Sequence, residues 1–304
     1  MPHSPTPLVV QASQSAAASQ LYELTRKMPS CDPFVGRRSS VSPSTKSDLF
    51  RFLDGTRMPE GRGGAAMMGL HRAEDRRHED RAGRSSWVTF PRSSQTGGQS
   101  AFGLLEGAEE ILLVKGARSQ PLPHHRGDTV TYVHDGAVAY ASSRGDAGVV
   151  YAGEFRRVTG MARAEQREAN GSHTDPALLF RMRLADTGRP IEPHAEQRRF
   201  GIADRRAGLC IVASRDGRAG SLHLQQDAVI YSAVLAGGQH LVHEVRAGRW
   251  GWLQVVAGEL RLRDERITAG DGWSFGEEQR ISLLGDSDCE ILLVDLPASG
   301  NNKP

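Results

Sequence analysis

The sequence predicts an all-β chain, two small antiparallel barrels or sandwiches in tandem behind a flexible N-terminal extension. Three observations predict it. From Trp87 onward, short β-branched and aromatic runs alternate with glycine-rich turns, and long helical periodicity is absent. The same pieces also recur in order in two halves of the chain. The 34 glycines suit a fold with many tight turns.

Residues 1–66 are rich in Ser, Pro and Gly and read as a flexible extension, with single helices conceivable only around 21–27 and 47–53. Met67 and Met68 follow directly, so translation is expected to begin there if the extension is an over-long gene model. An intact mass of the native protein decides this, and a full-length mass rejects it. The stretch from Arg72 to Arg81 alternates acids and bases and reads as a solvated face or strand edge, not a phosphate-binding patch.

Thr129-Val-Thr-Tyr-Val133 is a strand, His134-Asp-Gly136 a turn, and 137–141 the returning strand. Asp-Gly between two such runs is a strong hairpin signal. The pattern returns at 251–256, with a turn at Ala257-Gly-Glu259 and a strand at 260–262. A glycine turn follows in each half, Ala152-Gly-Glu-Phe155 and Ala269-Gly-Asp-Gly272, and an apolar strand closes each, at 178–184 and 291–296. Further strands are expected at 211–213 and 281–284. Gly188-Arg-Pro-Ile-Glu-Pro193 is the natural linker, giving barrels over 67–187 and 188–304.

Composition excludes several classes. Hydrophobic content of 38% and charged content of 24% are ordinary for a globular protein. A net charge of +2 gives no electrostatic reason to expect nucleic acid or an anionic membrane. Cys31, Cys210 and Cys289 have no zinc or disulfide spacing, so a reducing, cytoplasmic setting is expected. No span-length apolar run and no signal-peptide pattern occur. Nor does a Ser/His/Asp set, a Walker loop or a dinucleotide fingerprint.

The stretches Ser86-Trp-Val-Thr-Phe90, Pro123-His-His-Arg-Gly127, Thr129-Val-Thr-Tyr-Val133, Thr159-Gly-Met161 with Glu165, and Glu196-Gln-Arg-Arg-Phe200 resemble the pirin family. In the C-terminal half so do Gly220-Ser-Leu222, Trp252-Leu-Gln-Val-Val256 and Asp286-Ser-Asp-Cys-Glu290 with Asp295-Leu-Pro297. The likeness covers about three quarters of the chain and is greatest to short bacterial pirins. It implies a bicupin whose N-terminal barrel holds one iron-type divalent ion, gripped by a His-Pro-His stretch and a later His-x-Glu pair, while the C-terminal barrel carries none. It further implies either quercetin dioxygenase-like activity or a regulatory binding role.

Ligands at i and i+2 of a strand enter one cavity. Aligned on Thr131-Tyr-Val133, Leu122 stands where the first histidine belongs and His124 where the second does; aligned on Thr159-Gly160, Arg163 replaces the third and Glu165 is the carboxylate. The metal candidates are therefore His124 and Glu165, with Glu165 also the catalytic base, and Leu122 and Arg163 mark lost ligand positions. Two protein ligands fall short of a three-ligand facial set. An inward guanidinium about 4 Å from a divalent ion would meet roughly 8 kcal/mol of repulsion at an effective dielectric near 20. The ion is thus expected to be weak or absent, with Arg163 pairing to Glu165. Asp128, His125, His134 and His173 are possible recruits, each more often a surface or turn residue. His240 and His243, three apart on a strand, should face opposite ways.

Two functions compete. One is a binding module, monomeric, for a small anionic or phenolic ligand or a protein partner. The other is a metal-dependent, quercetin dioxygenase-like oxidoreductase.

Overall fold

The computed structural model describes residues 69–90, 101–123, 125–159, 164–188, 192–276 and 280–298. The extension, His124 and Arg163 lie outside the described residues. Twelve strands precede the inter-barrel crossing. They are β1 (Gly69–His71), β2 (Arg77–Arg81), β3 (Arg84–Val88), β4 (Leu105–Leu113), β5 (Leu122–Pro123) and β6 (Thr129–Asp135). Then come β7 (Ala137–Ser142), β8 (Ala147–Tyr151), β9 (Glu154–Thr159), β10 (Glu165–Asn170), β11 (Ala177–Leu184) and β12 (His194–Arg199). A short helix the periodicity does not announce, α1 (Ile202–Arg206), leads into the second half. That half comprises β13 (Cys210–Ser214), β14 (Leu222–His223), β15 (Val229–Leu235), β16 (His240–Glu244) and β17 (Arg249–Ala257). It ends with β18 (Glu259–Leu262), β19 (Glu265–Thr268), β20 (Gly272–Gly276), β21 (Arg280–Gly285) and β22 (Cys289–Pro297).

Each barrel joins a seven-stranded sheet to a four-stranded one. The first has order β12-β9-β6-β11-β4-β3-β2 and β5-β10-β7-β8; the second has β1-β20-β17-β22-β15-β13-β14 and β16-β21-β18-β19. Two strands cross the expected division at Gly188. β12 follows the linker yet pairs with β9 of the first barrel, and β1 precedes the first barrel yet pairs with β20 of the second. The barrels are laced together at both ends.

The recurrence read from the sequence is present bond for bond. In the first half Ala152 N donates to Gly136 O and Gly153 N to Val133 O; in the second Ala269 N donates to Gly258 O and Gly270 N to Val255 O. Gly136 and Gly258 occupy the same hairpin position at φ 75° and 76°. Only glycine enters that region without strain.

The two seven-stranded sheets pack back to back. Tyr132, Phe155, Phe180 and Met182 of the first meet Ile230, Trp252, Leu292 and Val294 of the second in one buried cluster. Strand β11 therefore has no solvated face: Leu178, Phe180, Met182 and Leu184 point to the junction, while Leu179 joins the first barrel's own core. A polar pin crosses the junction. Tyr132 Oη donates to Glu290 Oε1 at 2.5 Å, Arg205 Nη1 donates to the same oxygen at 2.5 Å, and His134 Nδ1 lies 3.1 Å from Oε2. Burial, then the adjacent Glu290 charge, pushes the Tyr132 phenol well above its usual value.

The second barrel is filled by apolar side chains, Leu235, Leu253, Leu260, Ile281 and Leu283 among them. His240 is exposed and His243 buried, on opposite faces as strand alternation requires. No helix among the described residues is long and apolar enough to cross a membrane.

A Cβ on Gly258 would stand 2.0 Å from Asp288 O, whereas one on Gly145, also left-handed at φ 93°, would meet nothing within 4 Å. Gly145→Ala should therefore cost only the backbone strain of about 1–2 kcal/mol. Gly258→Ala should add a steric term of about 1–3 kcal/mol. Urea midpoints of the two variants measure the gap.

Candidate functional site

A cavity of about 470 Å³ opens inside the first barrel. Its volume lies in the range of small-molecule sites. The walls formed by β3, β6, β9, β10 and β11 obey the two-residue period of a strand. β3 contributes Arg84, Ser86 and Val88, β6 contributes Thr129 and Thr131, β9 contributes Arg156 and Val158, and β10 contributes Gln166 and Glu168. β11 contributes Arg181 and Arg183. The barrel interior is thus graded: Ile111, Leu113, Val133, Val138 and Leu179 fill one end, and charged groups line the other. Seven arginines line the cavity against three glutamates, Glu79, Glu109 and Glu168.

Glu168 is the node of this lining. It is 3% exposed. Its Oε1 accepts from Arg181 Nη2 at 2.5 Å and from Gln166 Nε2 at 2.8 Å, and Arg84 Nη1 lies 3.9 Å from Oε2. Gln166 is held at its other end, where Oε1 accepts from Arg156 Nη1 at 3.3 Å. Arg156 in turn pairs with Asp146 at 2.5 Å and lies 3.6 Å over the Tyr140 ring. Arg181 Nε reaches Thr131 Oγ1 at 3.3 Å. A second carboxylate, Glu109, sits between Arg183 Nη1 at 2.6 Å and Arg84 Nη2 at 3.2 Å.

Burial alone would push both carboxylates up. For Glu168 the charges of Arg181 and Arg84 and the bonds from Gln166 and Arg181 outweigh it; for Glu109 those of Arg183, Arg181 and Arg84 do. Both are held below the usual carboxylate range. Arg181 is driven the other way: burial would lower it, but Glu168 and Glu109 raise it. The site is therefore a set of ionised pairs with cationic excess.

Of the residues singled out in the sequence, Leu122 lines the cavity, directly opposite Gln166 in the β5–β10 ladder. His124 and Arg163 lie outside the described residues. Glu165 pairs with Pro123 at the start of β10 and is not among the cavity-lining residues; the inward positions of β10 are Gln166 and Glu168. The pairing expected of Arg163 with Glu165 falls on a residue outside the described ones; the arginine–carboxylate pair inside the cavity is Arg181 with Glu168. Register selects Glu168: alternation along β10 turns even-numbered residues inward. His125 does line the cavity, but its Nε2 donates to Leu184 O at 2.7 Å, so that nitrogen carries a proton and offers no lone pair. Asp128 is fully buried, with Oδ2 accepting from Gln225 N at 2.7 Å toward the second barrel. His134 belongs to the junction pin, and His173 is exposed. Among the described residues no group of three or more His, Cys, Asp or Glu side chains could hold a metal ion.

The residues missed are Arg181 and Arg183. Their signal was present: two arginines at i and i+2 in an otherwise apolar strand, Ala177-Leu-Leu-Phe-Arg-Met-Arg-Leu184. The charged segment before β3 forms the largely exposed edge strand β2, as its alternating charges predict, and Arg77, Glu79 and Arg81 there also border the cavity.

Comparison with known proteins gives a consistent relationship. The family model described as "Pirin" matches residues 75–182, and the one described as "Quercetinase C-terminal cupin domain" matches residues 211–296. A protein from Escherichia coli (strain K12) named "Quercetin 2,3-dioxygenase" is 32% identical over 232 residues, which is 76% of this chain and 99% of that protein. The pirin-like protein YhaK of the same strain is 27% identical over 61% of this chain and 80% of its own length. Among solved structures, YhhW from Escherichia coli superposes with a TM-score of 0.70 at 32% identity, covering 76% of this chain and 98% of that one. The nickel(II) complex of the bacterial pirin YhhW gives 0.70 at 31% identity, over 76% and 100%. Two-barrel topology, recurrent hairpins and sequence likeness across both barrels agree that this chain belongs to the pirin family.

Proposed function

We propose that the chain is a pirin-type binding protein whose N-terminal cavity takes a small organic anion, with little or no catalysis. The observation carrying this reading is the Glu168 carboxylate, bound by the Arg181 guanidinium at 2.5 Å in a cavity that Leu122 also lines. The family's ion requires neutral imidazoles and a free carboxylate. Here the inward i, i+2 pair of β10 is an amide and a carboxylate already neutralised by arginine, facing a leucine. These residues do not fit a divalent ion. They do fit an anion: the remaining arginines give the cavity cationic excess, and guanidinium binds carboxylates in a planar, two-point fashion.

A second reading is supported by the relatives named quercetin 2,3-dioxygenase. It makes the chain a metal-dependent oxidoreductase with His124 and Glu165 as ligands and Glu165 as base. Elemental analysis of the purified full chain separates the two. The binding reading predicts nickel, iron and copper far below one equivalent and no oxygen uptake with quercetin. Near-stoichiometric metal, with uptake abolished by a chelator, would establish the second instead.

The pair itself is testable through stability. Removing one member of a buried ion pair leaves an uncompensated charge and costs about 3–5 kcal/mol, whereas replacing both by apolar groups is often near neutral. Arg181→Met alone should therefore lower the urea midpoint sharply, and Arg181→Met with Glu168→Leu should recover most of the loss.

Acid sensitivity follows from the same groups. Glu168 and Glu109 have folded pKa values below their unfolded values. Their contribution is fully present above the unfolded carboxylate value, about 4.3, and is lost as pH falls from there through the lowered folded values. Glu168→Gln should flatten this acid limb in thermal melts between about pH 5 and 3 relative to the parent chain.

A further inference from the structure

We infer that the outer face of the second barrel's four-stranded sheet docks an extended segment of a partner protein, one that carries carboxylates interspersed with apolar side chains. This face is separate from the cavity of the first barrel, and the inference stands apart from the anion-binding reading. The sheet runs β16-β21-β18-β19, and alternation divides its side chains. Leu241, Leu260, Ile281 and Leu283 fill the barrel, while His240, Val242, Arg261, Arg280, Ser282 and Leu284 are exposed on the other side. The first barrel's four-stranded sheet differs, because the alanines that alternate with its core residues, Ala139, Ala141 and Ala169, are buried.

The exposed face is not uniformly polar. Val242 and Leu284 are 43% and 37% exposed, two of the five large apolar side chains so exposed among the described residues. Register sets Leu284 between His240 of β16 and Arg261 of β18, and Val242 opposite Ser282. A hollow of about 370 Å³ opens there, and its lining includes His240, Arg261, Arg263, Arg280 and Leu284 but no carboxylate. Arg263 is the first of the two residues that turn β18 into β19, and it stands at φ 57°. Such a turn ordinarily places glycine or asparagine there. Strained residues of this kind gather at functional sites, and this one brings a third guanidinium to the hollow.

Charge selects the partner. Asp286 and Glu244 reach Arg261 and Arg280 from the margin, at 3.0 and 3.4 Å. Those arginine side chains are 58% and 65% exposed. Exposed pairs of this sort are weak, and each guanidinium has five donors. A partner's carboxylates therefore join or replace the marginal acids, while its apolar side chains cover Leu284 and Val242. Residues two apart in an extended segment point to one face, so both kinds of contact fit one strand-like peptide.

The test is fluorescence anisotropy of the full chain with a labelled peptide repeating Glu-Ser-Leu-Ser, which presents carboxylates and leucines on one face when extended. The peptide should bind, and salt should weaken it. Arg261→Glu and Leu284→Ser, both at exposed positions and checked by circular dichroism, should each weaken binding about fivefold or more. Arg263→Gly should raise the thermal midpoint by relieving the turn, yet weaken the peptide about fivefold. That opposition separates a binding role from a structural one. No binding at low salt would overturn the inference, as would unchanged affinity in all three folded variants. Equal binding of the peptide with lysine in place of glutamate would overturn it as well. Tighter binding of a single-stranded oligonucleotide, lost in the same variants, would replace the acidic peptide with a nucleic acid and equally overturn it.

Discussion

The inside of the first barrel is organised around one carboxylate, Glu168, that is almost wholly withdrawn from water. Glu168 cannot be ionised in such a place without compensation, because desolvation of a lone charge costs several kcal/mol. Arg181 supplies the compensation at 2.5 Å, Gln166 adds a hydrogen bond, and Arg156 fixes Gln166. The neighbouring side chains fall into line behind this demand. Arg84 is shared between Glu168 and Glu109, and Arg183 holds Glu109 from the other side. The result is a polar wall whose members hold one another in place and whose sum is cationic. The inward carboxylate is satisfied by a guanidinium delivered from the neighbouring sheet.

That delivery depends on the packing between barrels. β11 is buried on both faces, so its residues facing the second barrel, such as Phe180 and Met182, fix the strand while Arg181 and Arg183 project inward. The strand cannot slip by one residue without sending two arginines into the apolar junction. β1 and β12, each added to a sheet beyond the expected division at Gly188, tie the two barrels into a common frame. The Tyr132, Arg205 and Glu290 pin works at the same seam. A rigid surround of this kind is what holds a binding site to its geometry.

Much of the fold was legible. Gly136 and Gly258 needed only turn chemistry to be placed, and the repeated glycine turns and closing strands followed from counting. The site was less legible, for a definite reason. Counting forward from Thr159-Gly160 assigns the inward pair to Arg163 and Glu165. Within β10 strand pairing turns Gln166 and Glu168 inward, because Leu122, a cavity-lining residue, stands opposite Gln166. Register is a property of two strands together, and one strand's sequence does not contain it. The expected partner of Glu165, Arg163, lies outside the described residues; the arginine that meets the inward carboxylate Glu168 is Arg181 of β11. Arg181 and Arg183 could have been noticed as charges at alternate positions in an apolar strand, which are costly unless something inside pairs with them.

The most direct measurement is anomalous diffraction from crystals of the full chain grown with nickel(II). With Arg181 as the counter-ion of Glu168, no anomalous peak should lie within bonding distance of that carboxylate. A fully occupied peak there, with Arg181 turned away and nitrogen or oxygen ligands closing around it, would contradict the account.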